Sequence, residues 1–254
     1  MTRFAFLIVA LVISHHAPAI VMRHDVPEQR FLDLASRYPQ AVHVRPANGD
    51  NGEGTLIATR WVLTAAHVAS AVGPGDIVVA GGKSYPVERV FMHPKFHALT
   101  FADMPFDIAL IELKLAVTGI KPAQPFNGQE AVGSVVTFVG RGGFGTGVAG
   151  VRGENAQVRA ATNRIDAVTD ADLQFRFDKP GEEHVTEFEG ISGPGDSGGA
   201  AYQKIDGKLY VVGVSSWQDT RPTKRVQGVY GVIEHYVRVA PHYPWIRQTM
   251  RAAP

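Results

Sequence analysis

Residues 194–200 read PGDSGGA, an acid and a serine set side by side among glycines. Glycine, aspartate and serine together make ordinary turns, because they tolerate positive φ and bond locally to the backbone. The same residues can also make a tight elbow that exposes the Ser197 hydroxyl and aims the backbone N–H groups of Gly195 and Ser197 at one point beside it. Two other stretches supply what a reactive serine needs. TAAHVA, residues 64–69, sets His67 just after the strand-like TRWVL, and FDIALIEL, residues 106–113, sets Asp107 before an apolar run. Taken singly, such a histidine reads as a core residue and such an aspartate as a turn or cap residue. Taken together they form a working set. A serine becomes nucleophilic when an imidazole takes its proton, and the imidazole needs a carboxylate to fix its tautomer and stabilise its charged form.

Bringing three such residues together from distant parts of a 254-residue chain requires a rigid frame. The chain has 45% hydrophobic and 19% charged residues, enough for a large core and too apolar for disorder. Its net charge of +1 sets up no overall field toward nucleic acid or acidic membranes, so partners must be recognised locally. There is no cysteine, which excludes a thiol nucleophile, thiolate zinc sites and disulfides, and leaves stability to packing. Short apolar, β-branched runs between glycine and proline punctuation predict strands at 41–44, 54–58, 61–65, 77–80, 85–92, 109–113, 134–139, 209–216 and 228–232, the pattern of an all-β sandwich or barrel. Helical segments are expected at 26–36 and 233–251, the latter interrupted by Pro241 and Pro244, with surface excursions at 140–153 and 162–190. The first nineteen residues combine Arg3, an apolar run from Phe4 to Ile13 and the small-residue end Ala17-Pro18-Ala19. They read as a secretory signal peptide, since the run is about half the roughly 20 residues that an anchor spanning the bilayer needs.

The ordered motifs TAAH, DIAL and GDSGG, carrying His67, Asp107 and Ser197 in that sequence, resemble the chymotrypsin/trypsin-like family of serine endopeptidases in a bacterial-type, cysteine-free form. The resemblance implies an all-β fold of two six-stranded antiparallel β-barrels with the active site in the cleft between them and a C-terminal helix. It divides the chain into the signal peptide (1–19), an N-terminal barrel (20–120) with His67 and Asp107, and a C-terminal barrel and helix (121–254) with Ser197. By the same resemblance Ser197 is the nucleophile, His67 the general base and then acid, and Asp107 the orienting carboxylate, with the N–H groups of Gly195 and Ser197 as the oxyanion hole. Asp196 would form a buried ion pair with a new amino terminus at Ile20, which follows Ala19 directly, so that removal of the signal peptide would itself activate the enzyme. Gly52, Val68 and Gly193 stand where the family usually has cysteines.

The resemblance also sets Ile191 at the base of the primary specificity pocket, Ser192 and Gly228 on its walls and Gln218 at its entrance in place of a customary glycine. Ser216 and Trp217 lie on the strand that pairs with substrate, with Ser216 reaching Asp107. An apolar base gives a buried cation no partner, so small to medium apolar P1 residues are expected rather than Arg or Lys. Glu182, Glu183, Glu187 and Glu189 around His184 could hold a hard cation such as calcium, but a solvated acidic loop is the expected reading. No metal or organic cofactor is expected. The resulting reading is a secreted or periplasmic serine endopeptidase acting on polypeptides, with no nucleic acid partner and no stable membrane anchor after signal removal. The alternatives are a catalytically silent homologue that binds or regulates a partner, and an esterase using the same chemistry.

Overall fold

The computed structural model describes residues 20–98, 100, 102–153 and 155–253; the segment read as a signal peptide lies outside the described residues. The chain begins with β1 (Val21–Met22) and α1 (Glu28–Ala35). Phe31, Leu34 and Ala35 recur at helical spacing on one face of α1 and are buried. Six strands follow: β2 (Ala41–Arg45), β3 (Gly52–Ala58), β4 (Trp61–Thr64), β5 (Ile77–Ala80), β6 (Lys83–Met92) and β7 (Ala109–Leu113), with the single turn α2 (Ala66–Ala69) between β4 and β5. They close into a barrel in the order β2-β3-β4-β7-β6-β5. Closure removes free edges, and the alternation of β2 and β5 sends Val42, Val44, Val78 and Ala80 inward against Leu56, Val62, Val87 and Leu110.

The remaining strands are β8 (Gln124–Pro125), β9 (Val135–Gly140), β10 (Phe144–Thr146), β11 (Gly150–Gly153), β12 (Arg159–Arg164), β13 (Ala167–Val168), β14 (Asp172–Arg176), β15 (Gly190–Ile191), β16 (Ala200–Ile205), β17 (Lys208–Asp219) and β18 (Ile233–Arg238), followed by α3 (Tyr243–Ala252). Eight strands form a sheet along the path β12-β9-β16-β17-β18-β14-β13, with β8 added beside β17. A smaller sheet, β11-β10-β1-β15, draws the N-terminal strand into the second half of the molecule. The core under the large sheet is aromatic: Phe138, Phe175 and Tyr236 meet with ring centroids 4.8 to 5.2 Å apart, and Ile20, Leu173 and Val212 pack around them.

The β architecture with a closed first barrel and a C-terminal helix is the expected one, and the second half completes it as a half-barrel sheet with its own small partner sheet among the described residues. Several local expectations are corrected. Segment 228–232 is a turn and not a strand, while the expected helix 233–251 is a strand at Ile233–Arg238, a 3-10 turn at Ala240–His242 and a helix only at Tyr243–Ala252. The β-branched and aromatic residues Ile233, Tyr236 and Val237 pack on a strand buried on both faces, and Pro241 sits where the chain turns into the last helix. Segment 140–153 is the paired hairpin β10–β11 and not a loop. Segment 162–190 is no surface excursion, since it carries the end of β12 and all of β13 and β14, with Leu173, Phe175 and Phe177 fully buried.

Candidate active site

The register of the first barrel explains why His67 meets Asp107. Thr64, the last residue of β4, lies opposite Ala109, the first of β7. Three residues beyond Thr64 and two before Ala109, the chain therefore leaves the same rim of the barrel. Asp107 is fully buried there and accepts three hydrogen bonds. Its Oδ1 takes the His67 backbone N–H at 2.8 Å, and its Oδ2 takes His67 Nδ1 at 2.7 Å and the Ser216 hydroxyl at 2.6 Å. A carboxylate only accepts, so the proton of neutral His67 resides on Nδ1 and Nε2 is left as the basic nitrogen.

The Ser197 turn is clamped between the two halves of the molecule. The Glu53 N–H of β3 donates to Ser197 O at 2.8 Å, Gly198 N donates to Ser215 O at 3.0 Å, and Ser215 N donates to Gly199 O at 2.8 Å. Gly198 is at φ +82°, and a Cβ there would lie 2.2 Å from Thr64 Oγ1 and 2.4 Å from Glu53 O. Glycine is required because this backbone lies directly against the strand end that leads into His67. Gly195 is at φ +90°, and among the described residues its N–H and that of Ser197 form no hydrogen bond to the protein. Two free, neighbouring donors beside a partly exposed serine can receive an oxyanion.

Asp196 points the other way, into the core. It is 1% exposed, and its carboxyl accepts Gly142 N at 2.9 Å and Gly193 N at 2.8 Å. Burial pushes it well above the ordinary carboxylate range, with Glu53 and Glu234 adding to the effect. A Cβ on Gly140 would meet its Oδ1 at 2.0 Å, so the end of β9 must be glycine for the carboxyl to fit. Ile20 is fully buried among Phe138 and its neighbours, and Val21 pairs with Gly145 on one side and Ile191 on the other.

The expected pocket residues fall into two groups. Ile191 packs with Val21, Phe177 and Val232, and Gly228, at φ +67°, backs onto Val21 and Val151. Ser192 and Gln218 are joined directly, Gln218 Nε2 donating to Ser192 O at 2.7 Å. Trp217 stacks on His235 at 3.7 Å and lines a cavity of about 90 Å³ with Met104, Pro105, Ser216 and Asp172. Sequence reasoning missed Glu53, whose buried carboxylate meets His43 at 3.0 Å beneath the serine turn, and Glu234 and His235 of β18. Their only signal was a charge inside a strand, hidden for β18 by its helical reading. The acidic segment around His184 disperses: Glu189 turns inward to Thr186, Glu182 binds Arg176 and Glu187 binds Arg30. Among the described residues no three His, Asp or Glu side chains converge on a point where a metal could sit.

Residues 35–246 match the family model described as Trypsin. The chain belongs to the trypsin family. It is 28% identical over 85% of its length to an inactive CLIP domain-containing serine protease A3 of Aedes aegypti, and 29% identical over 78% of its length to the complement C1s subcomponent of Sus scrofa. These matches cover 50% and 32% of the two relatives, so the trypsin-family chain spans half of their length or less.

Proposed function

We propose that this trypsin-family domain is an active serine endopeptidase, and the observation that carries the reading is Asp107 held between His67 and Ser216. In this mechanism His67 Nε2 takes the Ser197 proton as Oγ attacks the peptide carbonyl. The tetrahedral oxyanion is received by the N–H groups of Gly195 and Ser197. His67 then gives its proton to the departing amine, leaving an acyl-enzyme on Ser197. A water attacks that ester with His67 again as base, releasing the acid product and restoring the serine. Asp107 stabilises the imidazolium formed in each half without itself taking the proton.

The proposed activating event is removal of residues 1–19 by signal peptidase, which frees the Ile20 amine as counter-ion for Asp196. Supporting it are the complete burial of Ile20 and the insertion of β1 between β10 and β15. The product would be exported to the periplasm or the medium; no helix among the described residues is long and apolar enough to cross a membrane. A second reading, a catalytically silent homologue, is favoured by the relative whose name includes "Inactive". Intact-mass measurement before and after a fluorophosphonate separates the two. A single adduct that disappears in Ser197→Ala is expected, and a protein beginning at Ile20 that takes up no adduct supports the silent homologue.

A further inference from the structure

Glu234 joins the two stretches that flank the primary pocket in the endopeptidase reading. It lies on β18 opposite Gln218 of β17 and is 1% exposed. Its Oε2 accepts the Ser192 N–H at 2.9 Å and its Oε1 accepts Gln218 Nε2 at 2.8 Å, the same nitrogen that donates to Ser192 O. One carboxyl and one carboxamide thus span the gap between Ser192 and Gln218.

Among the described residues nothing cationic bonds this acid. Tyr236, two residues along β18, bonds its hydroxyl to Ser192 Oγ, and Asp196 is the other titratable group that faces this cluster. Both are neutral or negative. Phe175, the partner of Glu234 on β14, is apolar. His235 turns to the opposite face of the strand, where it stacks on Trp217 and bonds Asp172 at 2.6 Å. Among the described residues Glu234 makes no ion pair, and burial pushes its carboxyl up to about 8. An unpaired buried carboxyl is unfavourable, and a bound cation relieves it. Gln218 is partly exposed at the end of β17, so it can move aside.

We propose that Glu234 is a specificity-determining residue: with Gln218 displaced, its carboxylate receives the cationic end of a basic P1 side chain. The inference rests on the endopeptidase reading and replaces the apolar P1 expected from Ile191, because the charge comes from the wall of the pocket and not from its base.

The test uses protein processed to Ile20 that labels on Ser197, with peptides identical except for Lys, Arg, Leu or Ala at P1, between pH 6 and 9. The ratio of kcat/KM for the basic peptides to that for the Ala peptide cancels pH effects common to all the peptides and any general loss of activity. It is expected to exceed one at pH 9 and to rise about tenfold or more from pH 6, as Glu234 ionises. Glu234→Gln is expected to abolish the rise and lower the ratio at pH 9 about tenfold or more, and Gln218→Gly to raise it. A labelled protein that prefers Leu or Ala at every pH, or a ratio unmoved by Glu234→Gln, overturns the inference and leaves the endopeptidase reading standing. Failure to label overturns both.

Discussion

Both Asp107 oxygens accept: three donors meet them in a site without solvent, and none of the contacts asks the side chain to donate. An amide cannot reproduce this. If the Asp107→Asn substitution sets its NH₂ at the Oδ1 position, that group opposes the His67 backbone N–H. If it sets NH₂ at the Oδ2 position, the amide donates to Nδ1 and moves the histidine proton to Nε2, removing the basic nitrogen that the proposed mechanism uses on Ser197. Asp107→Asn is therefore expected to lower kcat about 10⁴-fold with KM changed far less, measured by steady-state kinetics. Equal kcat in the two proteins would remove Asp107 from the mechanism. The motifs that carry His67, Asp107 and Ser197 stood out in the sequence because their flanking residues and order are specific, and the structure joins two of the three, His67 and Asp107. Glu53 and Glu234 were not legible, since an acid inside a strand acquires its role from cross-strand partners such as His43 and Gln218, which sequence alone does not pair.

At the scale of elements, the proposed activation would tie the site to β1. Its pairing with β10 and β15 buries Ile20, while the Asp196 carboxyl lies in the core with two backbone donors and no cation among the described residues. A protein produced with one extra residue before Ile20 would move the amine out of this register and leave the buried carboxyl uncompensated, a cost of several kcal/mol. Its kcat/KM is expected to fall by roughly 100-fold or more, checked by active-site titration against the chain that begins at Ile20; equal titration would detach activation from signal removal. The first barrel was legible because its strands alternate or run apolar between turns, and 77–80 and 109–113 match the observed bounds. Of the later strands, 134–139 and 209–216 were also legible and appear as β9 and β17, whereas β12 was hidden by polar residues that are satisfied inside the sheet, among them Asn163, whose amide bridges Arg176 O and Gly190 O, and the fully buried Arg159, which pairs with Glu28 of α1.

Across the whole molecule, the titrating acids divide into two sets that act in different pH windows. Hydrogen bonds from His235 and Thr169 hold Asp172 below the ordinary range against the opposing effect of burial, and Arg221 lowers the partly buried Asp219 to about 2. Groups of this kind contribute stability above the unfolded pKa and lose it as pH falls through the folded value. Glu53, Glu189, Asp196 and Glu234 are shifted upward, chiefly by burial, Glu189 to about 7 and Glu234 to about 8. Between the ordinary and the shifted value the folded chain holds more protons than the unfolded one, so stability falls as pH rises through that window. Glu189 isolates the effect because it is fully buried against Thr186 and takes no part in the proposed catalysis. Its rise from 4.5 to about 7 corresponds to at most on the order of 3 kcal/mol lost between pH 5 and pH 8. Urea unfolding of the Ser197→Ala protein, which cannot digest itself, is expected to show this decline, and adding Glu189→Gln should flatten it by a comparable amount. Parallel curves for the two proteins would mean that Glu189 titrates alike in the folded and unfolded chains.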